Sequence, residues 1–242
     1  MSVPIYEPKG AAKEYGDLAL NIYTGCPHRC TYCYCPGVLR RDREEFYSKA
    51  EPRNNIVGKV RRQIEREGIT GKLIHLCFIG DPYPTGCDTT PTREIIKVLK
   101  ESGNHVQILT KGDGSRDFDL LDGADWYGIT YAGYDPDCVV EDIPAPAEPG
   151  AASPHIRLKR LHEAHNLGIK TWISFEPVLN AGDVLSFLTL NPGYVDKVKI
   201  GKLNYHPSNI NWVYFGKMAE LTCQTYHMDY YIKDSLRKEM ER

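Results

Sequence analysis

Long apolar runs are absent from this chain of 242 residues, although 41% of its residues are hydrophobic. No stretch approaches the roughly 18 consecutive apolar residues that a membrane-spanning helix requires. The first ten residues, MSVPIYEPKG, also lack the basic and then apolar pattern of a signal peptide. We therefore expect a cytoplasmic protein that makes no contact with a membrane.

A strong net charge is also missing, because 30 basic residues nearly balance 32 acidic ones. This balance gives no overall sign of nucleic-acid binding. The charges are unevenly placed: residues 36–66 carry nine Arg or Lys against five acids, whereas residues 112–148 carry one Arg against ten acids. A solvated helix face is the simpler account of the basic segment, which only mildly favours a phosphate-bearing substrate. The acidic segment argues against a continuous nucleic-acid groove.

Cysteine is too scarce for a disulfide scaffold, with eight residues in the chain. Four of them, Cys77, Cys87, Cys138 and Cys223, stand alone, and we expect them to be small buried hydrophobic residues. The other four lie within ten positions in the stretch NIYTGCPHRCTYCYCPG, residues 21–37. Clustered cysteines in a reducing compartment more often bind metal or do redox chemistry than form disulfides.

Strand and helix patterns alternate along the chain, which predicts an α/β fold with a parallel sheet. The strand candidates are residues 18–23, 73–79, 105–110, 126–131, 169–175, 197–203 and, weakly, 229–233. The helix candidates are residues 55–67, 92–101, 154–167, 183–188 and 211–226. Six or seven β-α units in so short a chain favour a single domain, residues 1–242, built as a partial (β/α)6 TIM-type barrel over about 18–205 with a C-terminal extension over 206–242. A flat doubly wound sheet is the alternative.

Polar or special residues follow four of the predicted strands. Thr24, Gly25 and Cys26 follow the first strand, the Gly-Asp-Pro of residues 80–82 follows the second, Thr-Lys at 110–111 the third, and Glu-Pro at 176–177 the fifth. In either architecture the carboxyl ends of parallel strands form the functional edge of the sheet. We therefore expect an active site there, with residues 141–154 as an ordered loop or lid.

The spacing C-x3-C-x2-C, formed by Cys26, Cys30 and Cys33, lets three thiolates converge from one loop, residues 24–37, on one metal centre. A fourth ligand is missing unless Cys35 supplies it. Structural zinc requires four closed ligands, and no downstream Cys or His pair offers the remainder. An iron-sulfur cluster with one open iron fits this set best, while zinc and an unliganded group of thiols remain as alternatives.

This loop, C-x3-C-x-Tyr-C after the first predicted strand, resembles the signature of the radical S-adenosylmethionine superfamily. The motifs FIGDPYP, TPTR, ILTKGDGSRDFDLL, RLKRLHEAHNLGIKTWISFEPV and KIGKLNY extend the resemblance over residues 18–205, towards its spore photoproduct lyase-like branch. The resemblance implies a 4Fe-4S cluster on the three cysteines and S-adenosylmethionine on its open iron. It also implies an external one-electron donor of flavodoxin or ferredoxin type, and a 5′-deoxyadenosyl radical that abstracts hydrogen from substrate.

The same resemblance implies roles for residues around the cofactor. Tyr32 would pack near the adenine, Gly80 and Asp81 would receive the amino group of S-adenosylmethionine, and Lys111 would pair with its carboxylate. Thr130 would point toward the ribose or the substrate. For Lys111 an exposed loop position is the alternative.

Two further residues, Tyr34 and Glu176, are the candidates for catalysis. Tyr34 matches a tyrosine that in the spore lyase is assigned to radical return. The alternative for Tyr34 is a packing role, and the alternative for Glu176 is a structural hydrogen bond. One departure concerns Phe78, which stands where that lyase has its hydrogen-donating cysteine. Neighbouring Cys77 is expected to face away from the barrel mouth, because adjacent strand residues alternate between faces.

The substrate is left open by these motifs. Nucleic acid, as in the spore lyase, competes with a peptide, a protein or a nucleotide as the substrate of a lyase or oxidoreductase-type enzyme. A non-catalytic iron-sulfur or zinc-binding module is the alternative from a different class.

Overall fold

Eight strands form one open sheet in the computed structural model, which describes residues 3–134 and 145–242. The strands β1 to β8 span Ile5–Tyr6, Leu18–Leu20, Leu73–Leu76, His105–Thr110, Trp126–Thr130, Lys170–Phe175, Lys197–Ile200 and Tyr230–Ile232. Their order in the sheet is their order in the chain. The short β1 pairs antiparallel with β2, and every later pair is parallel.

This strand order confirms the partial barrel and excludes the doubly wound alternative, in which the strand order reverses at a switch point. Seven parallel strands are joined by six crossovers. The crossover from β4 to β5 holds a 3-10 helix, Ser115–Leu120, where the others hold α-helices. The sheet continues beyond residue 205 through β8, and the predicted position of Cys138 falls outside the described residues.

The α-helices α1 to α8 span Cys35–Leu39, Arg43–Ser48, Ile56–Glu67, Thr90–Glu101, Pro154–Asn166, Ala181–Leu190, Trp212–Thr225 and Asp234–Met240. Several begin at the side-chain caps that the sequence provides. Ser153 accepts a hydrogen bond from the Ile156 amide at the start of α5, and Asn180 and Asn211 act in the same way for α6 and α7. The predicted helices agree with the structure to within a few residues. The short elements β1, α1, α2 and α8 were not predicted.

The interior of the half-barrel is filled by large side chains from opposite strands. Trp172 on β6 lies against Gly128 on β5 and donates its indole N–H to the Ile108 carbonyl at 2.9 Å. His75 on β3 is 1% exposed, and burial lowers its pKa to about 3, so the ring is neutral at physiological pH. Its ring stacks on Phe78 with centroids 4.3 Å apart. The interior below the carboxyl ends of the strands is therefore filled by packed side chains.

An N-terminal 3-10 helix, Gly10–Tyr15, contacts the later strands of the sheet and the C-terminal helix. Its Glu14 accepts a hydrogen bond from the Asp234 amide, and Lys199 donates to the Glu14 carbonyl at 2.7 Å. The Tyr15 hydroxyl reaches Ser174 on β6 at 3.1 Å. This segment therefore ties β6, β7 and α8 together. Among the described residues, no helix is long and apolar enough to cross a membrane.

Replacing Gly128 with alanine is expected to destabilise the fold. A Cβ atom there would lie 2.1 Å from Nε1 of the buried Trp172 side chain, so the ring or β5 has to move. We expect the free energy of unfolding to fall by about 1–3 kcal/mol, as overpacked cores do. Gly193→Ala is the control, because its Cβ atom would meet nothing within 4 Å. Equal denaturation midpoints for the two variants would contradict this packing.

Candidate active site

One cavity of about 540 Å³ opens at the carboxyl ends of the strands. Its wall contains every residue for which the sequence predicted a role. These are Cys26, Cys30, Tyr32, Cys33, Tyr34, Gly80, Asp81, Lys111, Thr130 and Glu176. Parallel strands in register bring their carboxyl ends to one edge, which is why positions up to 150 residues apart meet here.

The cysteine loop is held from behind by α2. The Cys26 amide donates to the Phe46 carbonyl at 3.0 Å, and the Tyr47 hydroxyl donates to the Cys30 carbonyl at 3.0 Å. Arg43 donates to the Cys33 carbonyl at 3.0 Å. These bonds occupy backbone groups of the loop on its outer side. The loop is therefore fixed before any cofactor binds.

The three thiols fit a cationic metal centre. Cys26 and Cys30 are buried, and burial raises the pKa of both, to about 12 for Cys30. A thiolate at such a position needs a strong positive charge beside it, and the iron of a cluster supplies one. Cys33 is partly exposed, and a hydrogen bond from Cys35 lowers its pKa to about 6. Three ligands from one rigid loop match the donor set of an iron-sulfur cluster with one iron left free.

Cys35 has a place of its own beside the loop. It is buried, and its thiol donates to the Phe78 carbonyl oxygen at 3.6 Å. Interaction with the neighbouring Cys33 thiol and burial raise the Cys35 pKa, so Cys35 keeps its proton. Hydrogen bonds to cluster sulfurs are one means by which proteins set reduction potentials. The geometry thus separates Cys35 from the other three cysteines.

A strap formed by residues 145–153 lies across the cysteine loop. The Thr31 amide donates to the Ala147 carbonyl at 2.9 Å, and the Gly150 amide donates to the His28 carbonyl at 2.9 Å. The two backbones approach so closely that a Cβ atom on Gly150 would lie 2.0 Å from the Pro27 carbonyl oxygen. The described part of the predicted loop or lid is therefore ordered and packs directly against the cysteine loop.

A fully buried ion pair anchors this strap. Glu148 in the strap and Arg157 on α5 are both 0% exposed, and they bond directly to each other. Arg157 also donates to the carbonyl oxygens of Thr130, at 2.9 Å, and Ala152. The Glu148 carboxylate accepts the hydroxyl protons of Tyr32 and Tyr134. One pair of charges therefore joins the strap, the end of β5, α5 and the cysteine loop.

The charges around Glu148 decide its protonation. Burial alone would raise its pKa, but attraction to Arg157 and Lys111 and the two tyrosine hydroxyls outweigh it and lower the pKa to about 2. For Lys111 burial lowers the pKa, while the thiolate form of Cys30 and the carboxylates of Glu148 and Asp81 raise it, with a net increase. Lys111 therefore stays charged, with its ammonium 5.6 Å from the centre of the Tyr32 ring.

Asp81 connects two strand ends at the cavity wall. One carboxylate oxygen accepts the Tyr83 amide at 2.8 Å and the Thr110 hydroxyl at 2.5 Å, and the other accepts the Lys111 amide at 2.8 Å. His28 lies 3.5 Å from the second oxygen. The Thr85 amide donates to Nε2 of His28, so Nδ1 carries the proton that faces Asp81. Gly80, beside it, has φ of 83°, a conformation that favours glycine.

Glu176 and Tyr34 occupy different surroundings. Glu176 accepts the Tyr15 hydroxyl at 2.9 Å and the Asn204 amide at 3.1 Å, and it pairs with Lys233. Tyr34 is 48% exposed, and its hydroxyl donates to the Phe78 carbonyl at 2.9 Å. Glu176 is thus held in a network at one end of the cavity, whereas the Tyr34 ring remains open to a ligand.

Cys77 is buried in the hydrophobic core, and it also borders the cavity. The expected alternation of strand faces does not apply at Cys77. β3 ends at Leu76, and Cys77 has φ of 67°, so the chain has already left the strand.

Glu148 and Arg157 were not among the residues predicted for the site. A signal was present in the sequence, because Arg157 precedes Leu161 by four positions and Ala164 by seven. That spacing places the arginine on the buried stripe of α5. An arginine on an apolar stripe requires a buried partner, and an acid in the preceding loop is the natural one.

Comparison with known proteins adds three findings. A family profile described as "Radical SAM superfamily" matches residues 20–183. An uncharacterized protein, ORF301, of Acidianus two-tailed virus is 26% identical over 184 residues. That match covers 71% of this chain, which spans 60% of the length of this curated relative.

Solved structures with a similar fold include spore photoproduct lyase in complex with a dinucleoside spore photoproduct, at a TM-score of 0.69 and 12% identity, covering 94% of this chain and 79% of that one. They also include Streptococcus suis SuiB bound to the precursor peptide SuiA, at a TM-score of 0.63 and 11% identity, covering 92% and 50%. At such low identity these likenesses show the fold alone.

The variant Glu148→Gln is expected to lose much of the stability of the wild type, because Arg157 then remains buried without its counter-charge. Breaking such a pair lowers the free energy of unfolding by about 3–5 kcal/mol. Glu101→Gln is the control, since Glu101 and its partner Arg61 are both more than half exposed and their pair contributes about 1 kcal/mol or less. Chemical denaturation measures both, and a small loss in each would refute the anchoring role.

The same carboxylate predicts a pH dependence. Its pKa is about 2 in the folded protein against an ordinary value of 4.5, so its stabilisation is complete above about pH 4.5 and is lost as the pH falls toward 2. The stability difference between wild type and Glu148→Gln should therefore shrink over this range, because protonated Glu148 resembles glutamine. A difference that grows on acidification would contradict the lowered pKa.

Proposed function

The chain belongs to the radical S-adenosylmethionine superfamily, and we propose that it is an enzyme abstracting a hydrogen atom from a nucleic-acid substrate held in the cavity beside the cysteine loop. The family profile covers well over half of the sequence. Membership in this family makes the protein an enzyme whose cofactors are a 4Fe-4S cluster and S-adenosylmethionine.

The observation that carries the proposal is the rigid loop of three thiols on the wall of a cavity that also holds a charged lysine. We assign Cys26, Cys30 and Cys33 as cluster ligands. Bound there, a 4Fe-4S cluster and S-adenosylmethionine would supply reductive radical chemistry: with one electron from an external donor of flavodoxin or ferredoxin type, S-adenosylmethionine would be cleaved to methionine and a 5′-deoxyadenosyl radical able to take a hydrogen atom from the substrate.

The residues of the chain bind and orient the cofactor in this proposal. Lys111 pairs with the carboxylate of S-adenosylmethionine as a point charge. Gly80 supplies backbone groups for its amino group. Asp81 already accepts three hydrogen bonds, and His28 Nδ1 lies 3.5 Å from its second oxygen, so the same amino group would share the remaining acceptor position with His28. Tyr32, fixed through Glu148, packs near the adenine, and Thr130 lies toward the ribose.

Tyr34 and Glu176 act at the substrate end. We propose that Tyr34, whose ring is exposed, returns a hydrogen atom after the reaction, a task that in the spore lyase begins at a cysteine where this chain has Phe78. Glu176 is engaged by Tyr15, Lys233 and Asn204, so we propose that it orients the substrate end of the cavity instead of exchanging protons. The reaction remains of lyase or oxidoreductase type.

Nucleic acid is the substrate class favoured by the charge of the cavity wall. Its two acids, Asp81 and Glu176, are both engaged inside the protein, whereas Lys9 is exposed on the same wall. The structural neighbours bind different substrates, a dinucleoside in one case and a precursor peptide in the other. A peptide is therefore the second candidate, and the acidic stretch around residues 113–125 does not contribute to the cavity wall.

Anaerobic reconstitution tests the proposed chemistry. The wild type should be brown, bind about four iron and four sulfide, and form 5′-deoxyadenosine with S-adenosylmethionine and dithionite. Cys30→Ala should be colourless and inactive, whereas Cys223→Ala, buried on α7 away from the cavity, should behave as the wild type. A colourless wild type that carries zinc would support a structural metal module. A brown protein that forms no 5′-deoxyadenosine would be a non-catalytic iron-sulfur protein.

A further inference from the structure

Tyr205 is an unusual residue at the mouth of the cavity. It lies on the loop that follows β7 and borders the cavity, yet it is 92% exposed. Its backbone has φ of 64°, in the left-handed region that tyrosine seldom adopts. Among the described residues it has no hydrogen-bond partner and no aromatic neighbour. The fold therefore gains nothing from this ring and tolerates backbone strain at its position, a combination that points to function.

The loop that carries Tyr205 is fixed at its base. The Asn204 side chain donates to Glu176 at 3.1 Å and to the Lys202 carbonyl at 3.3 Å, and Lys202 pairs with Glu239 on α8. The Gly201 amide donates to the Phe175 carbonyl at 2.9 Å. The exposed ring therefore projects from an anchored backbone. An anchored aromatic ring loses little conformational freedom when a ligand binds against it.

Two further exposed residues belong to the same cavity wall. Tyr34 is 48% exposed and Val38, on α1, is 66% exposed. We call Tyr34, Val38 and Tyr205 the lip. Large exposed apolar side chains that gather at a cavity mouth mark a binding surface, whereas single ones scattered over a protein do not. The two aromatic rings of the lip suit a ligand with flat apolar faces.

Two exposed cations are candidates for contacts beside the lip. Lys9 is exposed on the cavity wall, and Arg40 ends α1 two residues after Val38. Neither makes an ion pair with any of the residues that the structure describes. Flat rings on a chain of negative charges are the chemistry of single-stranded nucleic acid, which proteins bind with aromatic platforms and basic side chains. A peptide with aromatic residues would use the rings without needing the cations.

We propose that Tyr205 is a stacking platform for an unpaired base of a nucleic-acid substrate, with Lys9 and Arg40 contacting its phosphates. The inference rests on the proposed function and specifies its substrate as single-stranded or locally opened nucleic acid. A base inside an intact duplex cannot reach an enclosed reaction site, and enzymes that act on bases take them out of the stack. Stacking on Tyr205 would hold the neighbouring base while the reacting one enters.

Fluorescence anisotropy with the reconstituted protein tests the platform. The probe is a labelled single-stranded DNA of about 12 nucleotides, with a duplex of the same sequence for comparison. We expect the single strand to bind more tightly than the duplex. Tyr205→Ala should weaken binding of the single strand by roughly ten-fold or more, and Tyr205→Phe should retain it. Tyr214→Ala is the matched control, because Tyr214 is 60% exposed on α7 and does not border the cavity.

The salt dependence of binding tests the contribution of the basic side chains. Lys9→Ala should reduce the slope of log affinity against log salt by roughly one without altering the preference for single strands. Equal binding by Tyr205→Ala and wild type would overturn the platform. The nucleic-acid assignment would also be overturned if a labelled aromatic-rich peptide bound in a Tyr205-dependent way while the DNA did not bind. Because 5′-deoxyadenosine formation is measured separately, a wild type that forms it but binds no DNA refutes the platform and the nucleic-acid substrate while leaving the proposed radical chemistry intact.

Discussion

The buried ion pair between Glu148 and Arg157 is the interaction on which the site depends. Both side chains are fully buried, and between them they reach the strap, β5, α5 and the ring of Tyr32. A buried pair contributes little net stability compared with apolar residues of the same volume, but removing one partner is costly. Its value here is positional, because it holds a segment built of turns against a cysteine loop that has no regular secondary structure of its own between β2 and α1.

The two ends of the cavity differ in their construction. At the cofactor end, α2 and the strap hold the cysteine loop from both sides, and Asp81 links the ends of β3 and β4. This end presents fixed groups to a cofactor of constant shape. At the mouth, the lip is exposed. The Tyr205 side chain has no partner among the described residues, but the loop that carries it is fixed through Asn204. Such a division suits an enzyme that must orient one cofactor while admitting a large substrate.

Periodicity and residue spacing predicted most of the sheet and the cysteine ligand set. Strands such as Trp126–Thr130 carry their own apolar signal, and C-x3-C-x2-C is defined by local sequence. The two-residue strand β1 was beyond this approach, because Ile5 and Tyr6 become a strand only through pairing with β2. Cys77 shows a second limit. The chain leaves β3 after Leu76, so the alternation of strand faces no longer applies at Cys77, and the sequence pattern does not reveal this. Tertiary pairs such as Glu148 with Arg157 join segments whose proximity is decided by the fold.

The central claim is that three protein thiols hold a cluster with one iron left free for S-adenosylmethionine. Electron paramagnetic resonance of the reduced, reconstituted protein tests it most directly, in wild type and in Cys35→Ala. We predict that adding S-adenosylmethionine changes the spectrum of the cluster in both proteins, because the free iron gains a ligand and Cys35 is not one. A wild-type spectrum that is identical with and without S-adenosylmethionine would contradict the account.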